Sequence, residues 1–362
     1  MIEHASFIKQ LMAMHRREKP SAFTPAPPPA PRTGPPTPRD DAFHYKYYTD
    51  SPGIFWYAEW WYFNFTDPVS GVSGMCAINV FNPGNIDLLG LPALTAAIFP
   101  PGQTTVPAIT DYYDLDSFTP SYENANTTLG ADNRITVVNE STYRVEAASR
   151  DGSMRLDLTY TRRDDPVFLA HDVRGDEEPW EISSWLVNMP AAVVSGTVIY
   201  QGVTYTLKNV RGYHDHDWGL WHVYARTWSW AQFCNPEREI SFDLGVHAAF
   251  QVSDCYFRCR DLRILFPQDK FKVTEDGWEH WDVFWKYPTK LTFTGEDPTG
   301  EYRLELAWTV RQTCPIWKAP ILVYEQSADF TGTLFRKRPS GVWESILTFQ
   351  EPGFAEYTDT WL

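Results

Sequence analysis

The sequence lacks the short motifs that assign many enzymes to a known chemistry. It contains no Gly-x-Gly-x-x-Gly, no Walker phosphate loop, no His-Glu-x-x-His and no Gly-x-Ser-x-Gly. Those patterns build dinucleotide, nucleoside triphosphate, zinc-protease and α/β-hydrolase sites. Their absence removes the usual sequence support for all four classes, and we predict no metal.

Cysteine is also scarce. The chain has five cysteines, an odd number, at widely spaced positions and without a Cys-x-x-Cys pair, namely Cys76, Cys234, Cys255, Cys259 and Cys314. This arrangement indicates neither a dense disulfide framework nor a zinc ribbon. We therefore expect reduced thiols.

Positively charged residues are fewer than negatively charged ones, and long apolar segments are absent from the sequence. Lys and Arg number 31 against 46 Asp and Glu, which gives a net charge of −15 and argues against nucleic acid or an anionic membrane as a partner. No apolar run approaches a bilayer span, and the apolar stretch at 8–14 is interrupted by Lys9 and Gln10. We expect a soluble, cytoplasmic protein, a monomer or homodimer, that binds an apolar small molecule.

Aromatic residues are abundant, and helical periodicity is not. Trp, Tyr and Phe number 16, 19 and 22, and such residues favour pleated, half-buried surfaces. Apolar and polar residues alternate over Met154–Thr161, and Lys290–Thr294 with Tyr302–Val310 form a hairpin pattern. Residues 83–130 show no clear period and suggest long loops. The sequence therefore predicts an all-β fold.

The composition divides the chain into three parts. Nine prolines between Pro20 and Pro38 favour an extended arm. We predict an N-terminal Pro-rich extension over 1–42, a tail or strap without a site. Two β domains are predicted at 43–220 and 221–362, with a ligand site at their junction.

One stretch, Gly212 to Gly219, places four titratable side chains between two aromatic rings. Alternation along a strand divides it into two sets, Tyr213, Asp215 and Asp217 on one face and His214, His216 and Trp218 on the other. An inward Tyr-Asp-Asp row is an acid/base site, whereas an inward His-x-His pair is half of a metal site. A third alternative is a solvated turn in which the aspartates cap backbone amides.

A second stretch packs seven aromatic residues around one carboxylate between Trp56 and Phe65. A strand here has apolar residues on both faces, which predicts that both faces are covered. Glu59 is the carboxylate, and it is either a structural residue paired with a donor or part of the site.

The segments Glu59-Trp60-Trp61-Tyr62 and Gly212-Tyr213-His214-Asp215-His216-Asp217-Trp218-Gly219 together resemble the carotenoid 1,2-hydratases (hydroxyneurosporene synthases). The same lipocalin-like superfamily includes kievitone hydratase and the fungal Diels-Alderases that form decalin rings. The resemblance covers roughly residues 43–362. It implies two lipocalin-like β-barrel or β-sandwich domains in tandem, with a pocket between or within them and no cofactor.

The resemblance also implies roles for single residues. Asp215 corresponds to the proton donor to a double bond, and Tyr213 is its neighbour, so we predict both as catalytic. The family often has asparagine at the position of Asp217, and a second carboxylate there is expected to raise the pKa of one of the pair. We predict substrate contacts from a further set, namely Glu59, Trp61, Trp185, His214, His216, Asp217, Trp218 and Trp230.

These observations favour a cofactor-independent enzyme of natural-product biosynthesis that acts on a terpenoid, polyene or polyketide. It would hydrate, isomerise or cyclise its substrate with a carboxylic acid kept neutral in an apolar site. A pericyclic cyclase is the first alternative, and it would use the same pocket to fold a polyene without acid catalysis. The second alternative is a non-catalytic lipocalin-like carrier in which the motif only joins two domains.

Overall fold

The computed structural model describes residues 35–45, 57–81, 91–174, 182–220, 228–247, 252–283, 285–318 and 321–360. These residues form β-strands, loops and short 3-10 turns, and no α-helix occurs among them. The all-β prediction is confirmed. Within the same ranges no helix has the length and apolarity needed to cross a membrane.

The first large sheet is antiparallel and contains twelve strands. They are β1 (Tyr57–Thr66), β2 (Ser73–Phe81), β3 (Pro92–Phe99), β4 (Ile109–Tyr112), β5 (Phe118–Pro120), β6 (Thr127–Leu129), β7 (Asn133–Asn139), β8 (Thr142–Ala148), β9 (Met154–Arg162), β10 (Val167–Arg174), β11 (Ile182–Tyr200) and β12 (Val203–Leu220). Their order is β4-β3-β2-β1-β12-β11-β9-β8-β7-β6-β5, with β10 paired to β11. The two motif strands, β1 and β12, are therefore neighbours inside the sheet.

The second large sheet has nine strands. They are β13 (Trp228–Asn235), β14 (Ile240–His247), β15 (Val252–Cys259), β16 (Leu262–Phe266), β17 (Phe271–Asp276), β20 (Lys290–Glu296), β21 (Tyr302–Lys318), β22 (Ile321–Lys337) and β23 (Trp343–Thr360), and a separate small sheet pairs β18 (Glu279–His280) with β19 (Lys286–Tyr287). The order in the large sheet is β16-β15-β14-β13-β23-β22-β21-β20-β17. Each large sheet curls into a half-barrel, as expected for tandem lipocalin-like domains. The domain bounds stay a prediction, and the chain passes from one sheet to the other between Leu220 and Trp228.

Three large apolar clusters of the described residues hold the two large sheets together. The first fills the inside of the first sheet and includes Trp61, Phe63 and Tyr160. The second fills the inside of the second sheet around Phe233 and Phe330. A third cluster lies between the two sheets and is formed by residues of both, among them Tyr62, Trp185, Tyr213, Tyr256, Cys314 and Phe354. Burial of this third cluster joins the two half-barrels through the hydrophobic effect.

The alternation of apolar and polar residues correctly predicted one strand and one hairpin. Along β9 the apolar residues are buried and the intervening ones are not. The predicted hairpin is the β20–β21 pair, in which Leu291 lies opposite Trp308. All five cysteines are free thiols, as expected.

The prediction of long loops over residues 83–130 was wrong for part of that range. Strands β3 to β6 lie within it, and all eight residues of β3 are buried. A strand that is covered on both faces has no polar alternation, which explains why the sequence pattern did not show it.

The N-terminal extension also needs a correction. Residues 1–34, which include most of its prolines, lie outside the described residues. Its last part forms a 3-10 turn at Pro38–Asp41 in which Asp41 is buried, and Phe43, the first residue after the extension, is buried in the first sheet. The ring of Phe43 packs against that of Trp61 at a centroid distance of 6.2 Å. The end of the extension is thus part of the core and not only an external strap.

Gly353 offers a test of the junction between β13 and β23. A β-carbon added to Gly353 would overlap the main-chain carbonyl oxygen of Gln232, which is fixed by the strand pairing. We expect Gly353→Ala to lower the free energy of unfolding by about 1–3 kcal/mol, as for other overpacked positions. Urea unfolding measures this, with the exposed Ile346→Ala on the same strand as control. Equal midpoints for the two variants would contradict the close approach.

Candidate functional site

The site is built around the middle of β12, between β1 and β11. Asp215 lies opposite Tyr62 on β1 and Val187 on β11. The strand alternation places Tyr213 on the face toward the second sheet and His214 on the inside of the first sheet. The two predicted sets of side chains therefore occupy opposite faces of one sheet, and both faces are buried.

On the face between the sheets, Asp215 is almost completely buried, with 4% of its surface exposed. Its Oδ2 accepts hydrogen bonds from the hydroxyl of Tyr213 at 2.8 Å and from Nε1 of Trp185 at 3.0 Å. Its Oδ1 is also buried and has no hydrogen-bond partner in the described part of the chain. One oxygen is thus held by two donors and the other is left for a proton or a ligand.

This environment changes the acidity of Asp215. Burial raises its pKa to about 7, against the opposing effect of the hydrogen bonds from Tyr213 and Trp185. A carboxyl group with such a pKa is protonated in a large fraction of molecules near neutral pH. Because Oδ2 already accepts from two donors, we place the proton on Oδ1.

Two other aspartates lie beside this group. Asp243 on β14 is fully buried beside Tyr213, and hydrogen bonding from Tyr213 opposes the rise of its pKa. Burial, and secondly the charge of Asp215, raise the pKa of Asp243 well above its usual range. The same two causes raise the pKa of Asp217, to which the charge of Glu356 adds. The carboxyl groups therefore favour each other's neutral forms.

Aromatic side chains surround these carboxyl groups. The hydroxyl of Tyr62 donates to Oε1 of Glu325 at 2.7 Å, and Nε1 of Trp228 donates to Glu356. The ring of Trp230 lies 5.4 Å from that of Tyr62. Five residues around the buried Asp215 are partly exposed, namely Trp60, Asp217, Trp228, Trp230 and Glu356. Asp215 therefore lies behind a partly accessible, aromatic and acidic surface.

On the opposite face, His216 lies between two carboxylates. Its Nε2 is 2.9 Å from Oε1 of Glu59, and its Nδ1 is 3.3 Å from Oδ1 of Asp41. His214 donates from Nδ1 to the main-chain oxygen of Tyr62, and its Nε2 lies 3.1 Å from Oδ2 of Asp41. Both carboxylates are thus held by imidazole rings in the core of the first sheet.

His44 completes this group, which we call the histidine cluster: Asp41, His44, Glu59, His214 and His216. The main-chain N–H of His44 donates to Glu59 at 3.0 Å, and its ring stacks on Trp218 at 3.8 Å. Ligand atoms of His44, Glu59 and His216 lie within 4.8 Å of one another, a spacing compatible with a metal ion. Hydrogen bonds already join the same atoms directly, so we assign no metal.

The pKa shifts in the histidine cluster follow from this pairing. Burial alone would lower the pKa of His216, but its contacts with Asp41 and Glu59 raise it. Burial would likewise raise the pKa values of Asp41 and Glu59, but their histidine partners lower both. Asp41 and Glu59 are therefore held as carboxylates against His216, whereas burial lowers the pKa of His44.

The sheet separates the predicted site residues into two groups. Asp215, Tyr213, Asp217, Trp185 and Trp230 come together between the sheets. The other predicted contacts are packed on the inside of the first sheet, namely Glu59, Trp61, His214, His216 and Trp218. Because the backbone of β1 and β12 lies between the groups, the second group does not contact a ligand held beside Asp215.

Several residues of the site carried no signal in the sequence. Asp243 and Glu356 belong to the second sheet, Asp41 belongs to the extension, and His44 lies just after it. Asp41 and His214 are separated by 173 residues along the chain, so no local pattern joins them.

No protein-family model and no curated protein matches the sequence. Among solved structures, a protein of Nitrosomonas europaea provisionally assigned as AttH superposes with a TM-score of 0.64 and 14% identity, over 93% of this chain and 99% of that one. The chain shares its fold. Kievitone hydratase from Nectria haematococca superposes with a TM-score of 0.54 and 14% identity, over 84% and 89% of the two chains. At such identities the likeness establishes the fold.

Removing one carboxylate of the histidine cluster tests its structural role. In Asp41→Asn the facing imidazole groups lose a buried negative partner, and such losses cost about 3–5 kcal/mol. We expect a decrease of this size in the free energy of urea unfolding. The exposed Asp132→Asn removes the same charge and should stay within about 0.5 kcal/mol of the parent. A similar stability of the two variants would contradict a paired cluster.

The cluster also predicts a pH dependence of stability. His216 has a raised pKa in the folded state, so its contribution is complete below the ordinary histidine pKa and is lost as pH rises through the folded value. Asp41 and Glu59 have lowered pKa values, so their contribution is lost as pH falls through those values. Urea unfolding at a series of pH values should show that the stability difference between the parent and His216→Gln decreases on the alkaline side. A difference that does not change with pH would contradict this assignment.

Proposed function

We propose that the protein is a cofactor-independent, hydratase-type enzyme that adds water to a double bond of an apolar unsaturated small molecule. A terpenoid, polyene or polyketide is the substrate class. The observation that supports this most is the buried Asp215, with one oxygen bound by two donors and the other unpartnered. The shared fold with kievitone hydratase and the resemblance to carotenoid hydratases support the same reaction type.

The reaction begins with proton transfer from Asp215. The Oδ1–H bond breaks as a C–H bond forms at one alkene carbon, and the neighbouring carbon becomes cationic. A water molecule then forms the new C–O bond. The proton that this water loses returns to the carboxylate of Asp215, so the acid is regenerated and the net change is the addition of one water.

The neighbours of Asp215 have distinct roles in this scheme. Tyr213 and Trp185 hold the carboxyl group in one orientation and stabilise the carboxylate that forms when the proton leaves. The rings of Tyr62 and Trp230 lie on the same face and offer π-electrons to the cationic carbon. Exclusion of bulk water by the packed interface protects that cation from side reactions.

Asp215→Asn tests the acid mechanism. The amide keeps the shape of the side chain and cannot supply the proton, so we expect the rate to fall by about 10²–10⁴-fold. The assay incubates the protein with isoprenoid and polyene alkenes in heavy-oxygen water and detects by mass spectrometry the labelled water added. Asp132→Asn is the matched control and should keep the parent rate. Addition of water by Asp215→Asn at the parent rate would contradict Asp215 as the acid, and conversion of a polyene at the parent rate without incorporation of the label would favour the pericyclic alternative.

Tyr213→Phe tests the orientation of the acid. The ring stays and the hydrogen bond to Oδ2 is lost, which removes about 1.5–3 kcal/mol of stabilisation of the carboxylate. We expect a slower kcat with little change in KM. The pKa of Asp215 should rise, because a donor to its charged form is gone. Since the acid works in its protonated form, the decline of rate at alkaline pH should move to higher pH. An unmoved alkaline limb would contradict the role given to Tyr213.

A further inference from the structure

One buried carboxyl group beside the proposed acid has no role in the reaction described above. Asp243 lies in the middle of β14, and none of its surface is exposed. Its side chain interacts with Tyr213 and Asp215 on β12. Its cross-strand partners are Gln232 on β13 and Tyr256 on β15. A buried carboxyl group is costly unless its hydrogen bonds are satisfied, so the contacts of Asp243 indicate its protonation state and its role.

Two neighbours on β14 show that Asp243 points at the first sheet. Gly245 lies so close to the ring of Trp185 that a β-carbon at this glycine would overlap it. Ser241 donates to Oδ2 of Asp164 at 2.8 Å. Because side chains two residues apart share a face of a strand, Asp243 lies between these two contacts. It therefore enters the interface beside the donors that hold the proposed acid.

The hydroxyl of Tyr213 has only one hydrogen to donate. It donates to Oδ2 of Asp215 at 2.8 Å. A phenol oxygen accepts with its remaining lone pairs, so a second partner has to be a donor. An ionised Asp243 would compete with Asp215 for the hydrogen, whereas a protonated Asp243 donates to the phenol oxygen and leaves the hydrogen directed at Asp215. The protonation state of Asp243 therefore decides which carboxyl group Tyr213 supports.

A second neighbour also lacks a donor at this position. Gln232 lies directly opposite Asp243, so the two side chains share a face, with β-carbons about 4.5–5.5 Å apart. Nε2 of Gln232 donates to Oδ1 of Asn64 at 3.1 Å, and Nδ2 of Asn64 donates to the hydroxyl of Tyr62, which donates to Glu325. This sequence of donors leaves Oε1 of Gln232 as a buried acceptor without a partner among the described residues. A carboxylate beside it adds only acceptors, and a carboxylic acid adds a donor.

The electrostatic surroundings also favour the protonated form. Burial raises the pKa of Asp243 well above its usual range, and the charges of Asp215 and Asp164 act in the same direction. Other titratable or charged groups near Asp243, Tyr213 and Asp215 come from β12, β15 and β23, namely His214, Asp217, Tyr256, Arg258 and Glu356. Arg258 pairs with Asp164 at 3.0 Å, and His214 lies on the opposite face of β12.

We infer that Asp243 is a positioning residue of the proposed acid, which donates a hydrogen bond to the hydroxyl oxygen of Tyr213 and thereby keeps that hydroxyl as a donor to Asp215. Its effect on the rate rests on the proposed function, whereas the hydrogen bonding can be measured without substrate. Donation to the phenol oxygen makes the phenol a stronger donor, because consecutive hydrogen bonds polarise one another. Tyr213 then stabilises the carboxylate that Asp215 becomes after it protonates the alkene.

The first measurement uses the parent chain without substrate. The aspartate side-chain carboxyl carbons are titrated by NMR, and the signal of Asp243 is the one that is missing in Asp243→Asn. We expect Asp243 to stay protonated throughout the pH range in which Asp215 ionises, because the new charge on Asp215 opposes a second one. Ionisation of Asp243 before Asp215 would overturn the inference.

A matched pair of variants tests the connection to Asp215. Asp243→Asn keeps the shape and an N–H donor, and Asp243→Val suits a strand and has no donor. Compared with Asp243→Asn, we expect Asp243→Val to raise the midpoint of Asp215 by about 0.5 or more and to lower kcat by roughly tenfold with little change in KM, because the phenol donates less strongly to the carboxylate. An unmoved midpoint of Asp215, which is the result if Asp243 bonds to Gln232 alone, would show that the inference is wrong.

The same change in a Tyr213→Phe background separates positioning from a general effect of polarity. Asp243→Val should cause no further shift of the Asp215 midpoint there, because the hydroxyl through which Asp243 acts is gone. A second full shift in the double variant would mean a direct electrostatic effect and would contradict positioning through Tyr213. Thermal unfolding checks that each variant is folded, and Asp243→Ala replaces Asp243→Val if the latter does not fold.

The two proposals fail separately. If Asp215→Asn adds water at the parent rate, the hydratase proposal is wrong, and the titrations of Asp215 and Asp243 still test the hydrogen bonding through Tyr213. If Asp215→Asn loses activity and Asp243→Val leaves the Asp215 midpoint where it was, the hydratase proposal stands and Asp243 is only a packing residue.

Discussion

Strand β12 carries ionisable side chains on both faces, and both faces are buried. Burial of a charge is costly unless the charge is paired or neutralised by a proton. The structure uses a different solution on each face. On the inside of the first sheet, carboxylates and imidazole rings are joined in the histidine cluster. Between the sheets, burial raises the pKa values of Asp215, Asp217 and Asp243, so their neutral forms are favoured.

This division separates structure from reactivity. The histidine cluster holds the end of the N-terminal extension to β1 and β12, because Asp41 accepts from Asn188 and Tyr143 as well as facing two histidines. It therefore fixes the strand on which Asp215 lies. On the other face, the second sheet covers Asp215 with rings and further carboxyl groups. A rigid strand that has ion-paired side chains on one face, and on the other a carboxyl group whose Oδ1 has no partner among the described residues, is a suitable support for a general acid.

The sequence predicted which side chains share a face of a strand. It did not predict which residues from distant parts of the chain contact them. The period of two along Tyr213 to Trp218 correctly assigned opposite faces to the aspartates and the histidines, because side-chain direction is a local property of a strand. It gave no indication that Asp41 of the proline-rich extension and the nearby His44 enter the core, since that depends on contacts between distant parts of the chain. Strand β3 was missed for a related reason: its neighbours cover both of its faces, and no alternation remains. Nothing in the sequence distinguishes Asp243 from the many other acidic residues, because its position beside Tyr213 depends on how the second sheet packs on the first.

The central claim is that Asp215 is a carboxyl group whose proton is retained near neutral pH. The most direct measurement is a pH titration of the aspartate side-chain carboxyl carbons by NMR, with Asp215 assigned from the signal that is missing in Asp215→Asn. The account predicts a midpoint near 7 for this residue. A midpoint close to the ordinary aspartate value of 3.8 would contradict it.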